Sequence, residues 1–239
     1  MADGDEAANL SEAKIQHNEP ASLSEAKIQN NEPAVPQKRF VALFSDIGGV
    51  LGTNGWDTGV RDTICDHFEL NRDEIAARHR LMFDSYERGH MTFEQYLKRV
   101  FFALPRPFTL EQVRDLAYAQ SVAWPENIAF LARVKQANSL KLALISNEGE
   151  GITEHRVGKF KLRELADCMV ISHFVHLRKP DPEIWQLALD LFQVSAAESI
   201  YIDDRPLFAD CARDLGFTSL RYVSLAQISA ELSALGLVV

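Results

Sequence analysis

Three apolar segments of this 239-residue chain end in polar side chains, and this pattern constrains the fold more than any other feature. The segments lead to Asp46, to Ser146 and to the pair Asp203-Asp204. Helical periodicity separates them, and apolar strands that alternate with helices predict a parallel sheet covered on both faces. Because ligands bind beyond the carboxyl ends of such strands, we expect these side chains to lie together at one edge.

The same alternation defines the predicted core. We expect an α/β fold with a Rossmann-like parallel sheet, formed by residues 40–54 and 125–239. Its predicted strands are "RFVALFSDI", "LKLALIS", "CMVIS", "SIYIDD" and "SLRYV", and its predicted helices cover residues 126–137, 154–165, 182–193 and 206–214.

A block without strand patterns, residues 55–124, follows the first strand. Its three clearest helical segments are "NRDEIAARHRLMFDSYERG", "TFEQYLKRVFFAL" and "TLEQVRDLAYAQSVA". Asn71, Thr92 and Thr109 each stand at the start of one segment, three residues before a Glu or Gln. This spacing is typical of helix capping boxes, so we predict an inserted helical cap.

Residues 1–39 differ in composition from the rest of the chain. They contain no aromatic residue, and "LSEAKIQHNEPA" (10–21) recurs as "LSEAKIQNNEPA" (23–34) with a 13-residue period. Two such polar copies are too few to bury a core. We predict a flexible tail, with a partner-docking repeat as the alternative.

Charge and apolar content exclude several classes of protein. A net charge of −9 argues against binding to nucleic acid or to anionic membrane surfaces. No apolar stretch approaches the roughly 18 residues that would span a bilayer. The acidic N-terminus has no apolar core of a secretory signal, and Cys65, Cys168 and Cys211 form no CxxC pair. We predict a cytoplasmic protein with buried thiols.

One reaction uses all of the polar positions. A carboxylate can attack phosphorus and form an aspartyl-phosphate, which water then hydrolyses. Because both reactants are anions, this attack needs a divalent cation with oxygen ligands and a fixed lysine. The residues suited to these tasks are Asp46, Ser146-Asn147, Lys179 and Asp203-Asp204.

These positions resemble the four motifs of the haloacid dehalogenase (HAD) superfamily. "FSDIGGVL" is similar to its first motif, "LALISN" to its second, "LRKPDPEIW" to its third and "YIDDRPLFADCARDLGF" to its fourth. The resemblance covers the chain from Phe40 to about Tyr222 and implies a core with a helical cap of the first type.

The resemblance also implies roles for individual residues. Asp46 matches the catalytic nucleophile, and Ser146 matches the phosphate-binding hydroxyl, with Asn147 beside it. Lys179 matches the third-motif lysine, which serves both catalysis and substrate binding. The implied cofactor is Mg²⁺, held by Asp46, the backbone carbonyl of Gly48, Asp203 and Asp204.

Gly48 departs from the pattern of most phosphatases in the superfamily. They have at this position an Asp that protonates the leaving group. A subgroup resembling sugar-phosphate phosphatases, including glucose-1-phosphate phosphatase, shares the glycine form of the motif. Since a general acid contributes about 10²–10⁴-fold, we expect a steep preference for good leaving groups such as aryl and anomeric phosphates.

Three functions fit these residues. The first is a Mg²⁺-dependent phosphatase acting on a small phosphorylated metabolite, with neither nucleic acid nor membrane as partner. The second is a metal-independent dehalogenase, which also uses an Asp nucleophile without a second acid. The third is a non-catalytic binding protein of the same fold, for which Gly48 is the best argument. The sequence leaves the oligomeric state open.

Overall fold

The computed structural model describes residues 39–239, so the predicted tail lies outside the described residues except for Arg39. The strands in this range are β1 (Ala42–Ser45), β2 (Lys141–Ser146), β3 (Cys168–Ile171), β4 (Ser199–Asp203) and β5 (Thr218–Arg221). The helices are α1 (Thr58–His67), α2 (Arg72–Glu87), α3 (Phe93–Phe101), α4 (Leu110–Ala119), α5 (Pro125–Ala137), α6 (Ile152–Lys159), α7 (Leu162–Leu165), α8 (Ser172–Val175), α9 (Glu183–Phe192), α10 (Pro206–Asp214) and α11 (Leu225–Ala234).

The strands form one parallel sheet in the order β3-β2-β1-β4-β5. Strand β1 is central, and its Phe44 pairs with Ala143 of β2 and with Tyr201 of β4. Every residue of β1 and β4 is buried, which is what a parallel sheet with two covered faces requires. The predicted α/β class with a parallel Rossmann-like sheet is confirmed.

Apolar clusters cover the two faces of the sheet. Leu43 points to one face, where it joins a cluster with Phe130 of α5 and Leu232 of α11. Phe44 points to the other face and belongs to the cluster that contains Trp185 of α9. Successive strand side chains thus enter opposite layers, and the core is a helix–sheet–helix sandwich.

Helices α1 to α4 lie between β1 and the rest of the sheet in sequence and enclose a third apolar cluster. Asn71, Thr92 and Thr109 each accept a backbone N–H at the start of a helix, and the two threonines form complete capping boxes. The three predicted helix starts are therefore confirmed. The cap boundaries at residues 55 and 124 stay a prediction.

The structure differs from the prediction at three places in the helices. One is the four-residue helix α8, which was not predicted and begins at Ser172, a residue that we expected in a strand. The predicted helix 154–165 is two helices, α6 and α7, because Lys161 has a left-handed backbone (φ 55°) that interrupts the helix. Helix α11 follows the last strand and was not predicted; it buries Ile228 and Leu232 against the sheet. The helices between residues 39 and 239 include none both long and apolar enough to cross a membrane.

Candidate active site

Three carboxylates meet at the carboxyl edge of the sheet. Asp46 follows β1 directly, Asp203 is the last residue of β4, and Asp204 comes next. One oxygen from each lies within 4.8 Å of the other two. Ser146, the last residue of β2, also lies at this edge and donates a hydrogen bond to Asp46.

Lys179 connects two of these acids. Its ammonium Nζ lies 2.6 Å from Oδ2 of Asp203 and 3.1 Å from Oδ2 of Asp46, and the side chain is fully buried. Burial acts against its charge, but Asp203 and Asp46 together raise the pKa of Lys179. The lysine is therefore a fixed cation beside Asp46 at neutral pH.

Asn147 and Phe208 contact Lys179 at its backbone and at its ammonium group, respectively. Its backbone N–H donates to Oδ1 of Asn147 (2.8 Å), and Nδ2 of Asn147 donates to its carbonyl (2.8 Å). Its Nζ lies 4.9 Å from the ring centroid of Phe208, a cation–π contact. Asn147 thus uses its oxygen and one N–H to position the lysine, a role that the sequence prediction did not include.

The structure distinguishes the two neighbouring acids of the fourth strand. Asp203 is fully buried, and Oδ2 accepts from Nζ of Lys179 and from the Tyr201 hydroxyl (2.5 Å). Its Oδ1 accepts the backbone N–H of Arg205 (2.9 Å). Asp204 is half-buried, and its Oδ1 is shielded from solvent with no hydrogen-bond partner among the described residues. Asp204 therefore presents a free oxygen, whereas the oxygens of Asp203 are occupied.

Burial shapes the charge of the cluster. Burial raises the pKa of Asp46, and Lys179 opposes that rise. Burial, followed by repulsion from Asp46 and Asp203, raises the pKa of Asp204 to about 6. Such a concentration of acids favours binding of a cation, which would offset the repulsion.

The loop after β1 closes tightly over the cluster. Gly49 has φ 68°, and a Cβ built on it would lie 2.3 Å from Cγ of Asp204, so the backbone here touches that side chain. Next to it, a Cβ on Gly48 would lie 2.6 Å from Oδ1 of Asn54. The carboxamide of Asn54 thus fills the space that a side chain at position 48 would need.

A narrow cleft lies between this edge and helix α2, whose Phe83, Tyr86 and Glu87 line it. It contains about 40 Å³ of space for the centres of water-sized molecules. Trp56 and Asp57, which follow the first motif, both line it. The indole of Trp56 also donates to the Tyr96 hydroxyl (2.9 Å), so this side chain has a packing role too.

Sequence reasoning missed several residues of this site. Tyr201 precedes Asp203 by two positions on β4, so strand alternation places both on one face and was the available signal. Glu87 and Glu148 also line the cleft as buried carboxylates. Glu148 follows Ser146-Asn147 directly, whereas nothing in the helical pattern of α2 distinguishes Glu87.

Residues 87–221, more than half of the chain, match the family model described as haloacid dehalogenase-like hydrolase. The chain belongs to this family. The matched region includes the second, third and fourth motifs, while Asp46 lies before it. The sugar-phosphate subgroup and the cytoplasmic location stay predictions.

Curated relatives of this HAD family member include hydrolases of two kinds. Flavin mononucleotide hydrolase 1 of Arabidopsis thaliana is 26% identical over 165 residues, 68% of this chain and 65% of that protein. (S)-2-haloacid dehalogenase 4A of Burkholderia cepacia is 27% identical over 126 residues, 50% of this chain and 54% of the relative. In both cases the match spans less than two thirds of the relative's length.

Solved structures confirm the fold. A HAD family enzyme from Bacteroides thetaiotaomicron superposes with a TM-score of 0.70 at 20% identity, covering 82% of this chain and 99% of that one. The same enzyme is known as a complex with magnesium and inorganic phosphate, which covers 79% of this chain and 98% of its own (TM-score 0.68, 17% identity).

Proposed function

We propose that this HAD family member is a Mg²⁺-dependent phosphatase that hydrolyses small phosphate monoesters, with sugar phosphates as the predicted class. The observation that carries the proposal is the cluster of Asp46, Asp203 and Asp204 around a buried lysine. The magnesium and phosphate complex of the Bacteroides thetaiotaomicron enzyme and the Arabidopsis flavin mononucleotide hydrolase support it.

The residues present fit a magnesium ion. Mg²⁺ prefers oxygen ligands, and Oδ1 of Asp204 is a buried carboxylate oxygen without a hydrogen bond within the described chain. Asp46, Asp204 and the carbonyl of Gly48 would hold the ion, with Asp203 beside them. When bound, the ion would offset the negative charge of the phosphoryl group and of the nucleophile.

Each side chain of the site has a separate role in the proposed reaction. The Asp46 carboxylate attacks phosphorus and forms an aspartyl-phosphate, which water later hydrolyses. The Lys179 ammonium and the Ser146 hydroxyl bind phosphoryl oxygens as negative charge builds on them. Asn147 keeps Lys179 in place through its two backbone hydrogen bonds, and its second amide N–H is left for the substrate.

The small volume of the cleft supports a small substrate. Asp46 and Ser146 of the sheet edge line the cleft together with Trp56 and Tyr86, and we expect the leaving group to contact these two rings. We therefore propose a phosphorylated metabolite as the substrate.

The first prediction tests the nucleophile. Asp46→Asn is nearly isosteric but cannot attack phosphorus, so phosphate release should fall by orders of magnitude while circular dichroism stays unchanged. Phosphate and halide release are measured in parallel, with and without a chelator of divalent cations. Glu164→Gln, on α7 away from the cleft, is the control variant.

The alternatives give different results in the same assay. Halide release that continues after chelation identifies the metal-independent dehalogenase. The Burkholderia cepacia relative supports this alternative. A folded protein that binds Mg²⁺ and releases neither product is the non-catalytic binding protein. Near-normal turnover in Asp46→Asn contradicts the proposed function.

A further inference from the structure

The proposed reaction needs a proton donor for the departing oxygen, and the cleft offers few candidates. Apart from the acids of the metal cluster, the carboxylates that line it are Asp57, Glu87 and Glu148. Tyr86 also lines the cleft, but its hydroxyl donates to the carbonyl of Glu150 (2.6 Å). Burial raises the pKa of Tyr86 well above its ordinary value, so this phenol is poorly suited to act as a general acid or base at neutral pH.

Two of the three carboxylates are already engaged. Oδ1 of Asp57 accepts the Val60 N–H (2.9 Å) and caps helix α1. Oε2 of Glu87 accepts two hydrogen bonds from the Arg178 guanidinium, one of them from Nε at 2.9 Å. Burial raises the pKa of Glu87, and the charge and hydrogen bonds of Arg178 oppose that rise.

Glu148 is different because its oxygens form an ion pair with the buried Arg156 but accept no hydrogen bond from the described residues. Both oxygens are shielded from solvent. Nε of Arg156 lies 3.0 Å from Oε1 but is not aligned for a hydrogen bond. A buried carboxyl with an ion pair but no hydrogen bond is only partly compensated for its lost hydration, which points to a ligand or a proton as a further partner.

The backbone fixes where this carboxyl stands. Glu148 lies two residues after Ser146, and its N–H donates to Oγ of Ser172 (3.0 Å). On its other side, the Tyr86 ring packs so closely on Gly149 that a Cβ there would lie 2.1 Å from it. Glu148 thus lines the cleft together with Asp46 and Ser146 of the sheet edge and Tyr86 of α2.

We propose that Glu148 is the general acid and base of this site, a role that rests on the proposed phosphatase function. As the bond from Asp46 to phosphorus forms and the ester P–O bond breaks, the Glu148 carboxyl gives its proton to the leaving oxygen. In the second step the Glu148 carboxylate takes a proton from water as that water attacks phosphorus. The bond to Asp46 then breaks, phosphate leaves, and Glu148 is protonated again.

The electrostatics of the pocket agree with this role. Burial raises the pKa of Glu148 to about 7, against the effect of Arg156 on α6 and with further increases from Asp46 and from Glu87 on α2. Lys179 acts in the lowering direction. An acid whose pKa lies near the working pH serves best for both donating and accepting a proton.

The test compares leaving groups in a matched pair of variants. Glu148→Gln keeps the shape of the side chain but has no acidic proton. Glu87→Gln makes the same change at the other buried carboxylate of the cleft. For glycerol phosphate, a poor leaving group, kcat/KM of Glu148→Gln should fall by about 10²–10⁴-fold. For p-nitrophenyl phosphate, whose leaving group needs no proton, it should fall far less.

Glu87→Gln should show the same loss with both substrates. The inference is overturned if Glu148→Gln loses kcat/KM equally for both substrates. It is also overturned if the loss of kcat/KM in Glu87→Gln depends on the leaving group.

The wild-type protein gives a second test that needs no variant. Across a series of phosphate monoesters its rate should depend only weakly on leaving-group acidity, opposite to the preference predicted from Gly48, and a steep dependence overturns the inference.

The outcomes for the proposed function are separate. Phosphate release that depends on Asp46 but not on Glu148 rejects this inference alone. Absence of Asp46-dependent phosphate release from every ester rejects the proposed function itself.

Discussion

At the scale of single residues, Gly49 controls how closely the loop after β1 approaches Asp204. Its φ is positive, and a Cβ at this position would lie only 2.3 Å from Cγ of Asp204, which leaves no room for a side chain. Because Asp204 holds the free oxygen of the cluster, this glycine governs where that oxygen lies. A methyl group here must push the carboxylate away.

Gly49→Ala should therefore weaken Mg²⁺ binding by about 10–100-fold, as loss of other groups that orient metal ligands does. Titration calorimetry with MgCl₂ measures this directly. Gly216→Ala is the matched control, since Gly216 also has a positive φ (98°) but its nearest neighbour would lie 3.7 Å away. Both variants should lose about 1–2 kcal/mol of stability from backbone strain, and only Gly49→Ala should lose affinity. Equal Mg²⁺ affinity in the two variants would contradict this view of the loop.

At the scale of helices, α2 and α3 are joined by a buried hydrogen bond between His79 and Tyr96. Nδ1 of His79 lies 2.7 Å from the Tyr96 hydroxyl, which also accepts the N–H of Trp56. The Tyr96 hydroxyl therefore donates a hydrogen bond to Nδ1 of His79, whose ring is neutral. Burial, reinforced by Arg61 and Arg80, lowers the pKa of His79 to about 4.

This shift predicts a pH dependence of stability. In the unfolded chain His79 takes up a proton near pH 6.5, whereas in the folded protein it does so only near pH 4. Between these values the unfolded state binds more protons, so the stabilisation is complete above pH 6.5 and is lost as the pH falls toward 4. Guanidinium unfolding from pH 7.5 to 5 should show a steeper loss for wild type than for His79→Gln. Parallel curves would show that His79 does not titrate in this window.

At the scale of the whole molecule, helices α1 to α4 attach to the sheet edge through contacts around the cleft. Arg88, which directly follows α2, pairs with Asp181 (2.6 Å), and Arg178 pairs with Glu87. Arg178 directly precedes Lys179, so the same loop contacts the helical block with one residue and the carboxylate cluster with the next. One loop thus connects the position of the helices to the position of the lysine.

The Tyr86 ring of α2 also packs on Gly149, where an added Cβ would lie 2.1 Å from the ring. We expect Gly149→Ala to destabilise the protein by about 1–3 kcal/mol, as overpacking does, and to lower kcat/KM because the helices are displaced from the cleft. Gly158→Ala is the control: a Cβ there meets nothing within 4 Å, and alanine in helix α6 should stabilise by roughly 0.5–1 kcal/mol. A thermal shift of the same sign in both variants would argue against this tight contact.

The sequence by itself determined the sheet, most helices and the edge at which the site lies. Apolar runs and helix caps are local patterns, and the caps at Thr92 and Thr109 formed as their spacing predicted. Parallel topology then carries Asp46, Ser146 and Asp203 to one edge without further information. The break at Lys161 was not predictable in this way, because a left-handed residue leaves no periodic pattern.

Only the tertiary structure decided how the side chains at that edge are used. Asp203 and Asp204 are identical neighbours in sequence, yet one is occupied by Lys179 and the other keeps a free oxygen. The surroundings of the Glu148 carboxyl likewise depend on the positions of Arg156 and of the Tyr86 ring. These differences arise from burial and from partners distant in the chain, and the strength of a charge or hydrogen bond depends on such surroundings rather than on residue type.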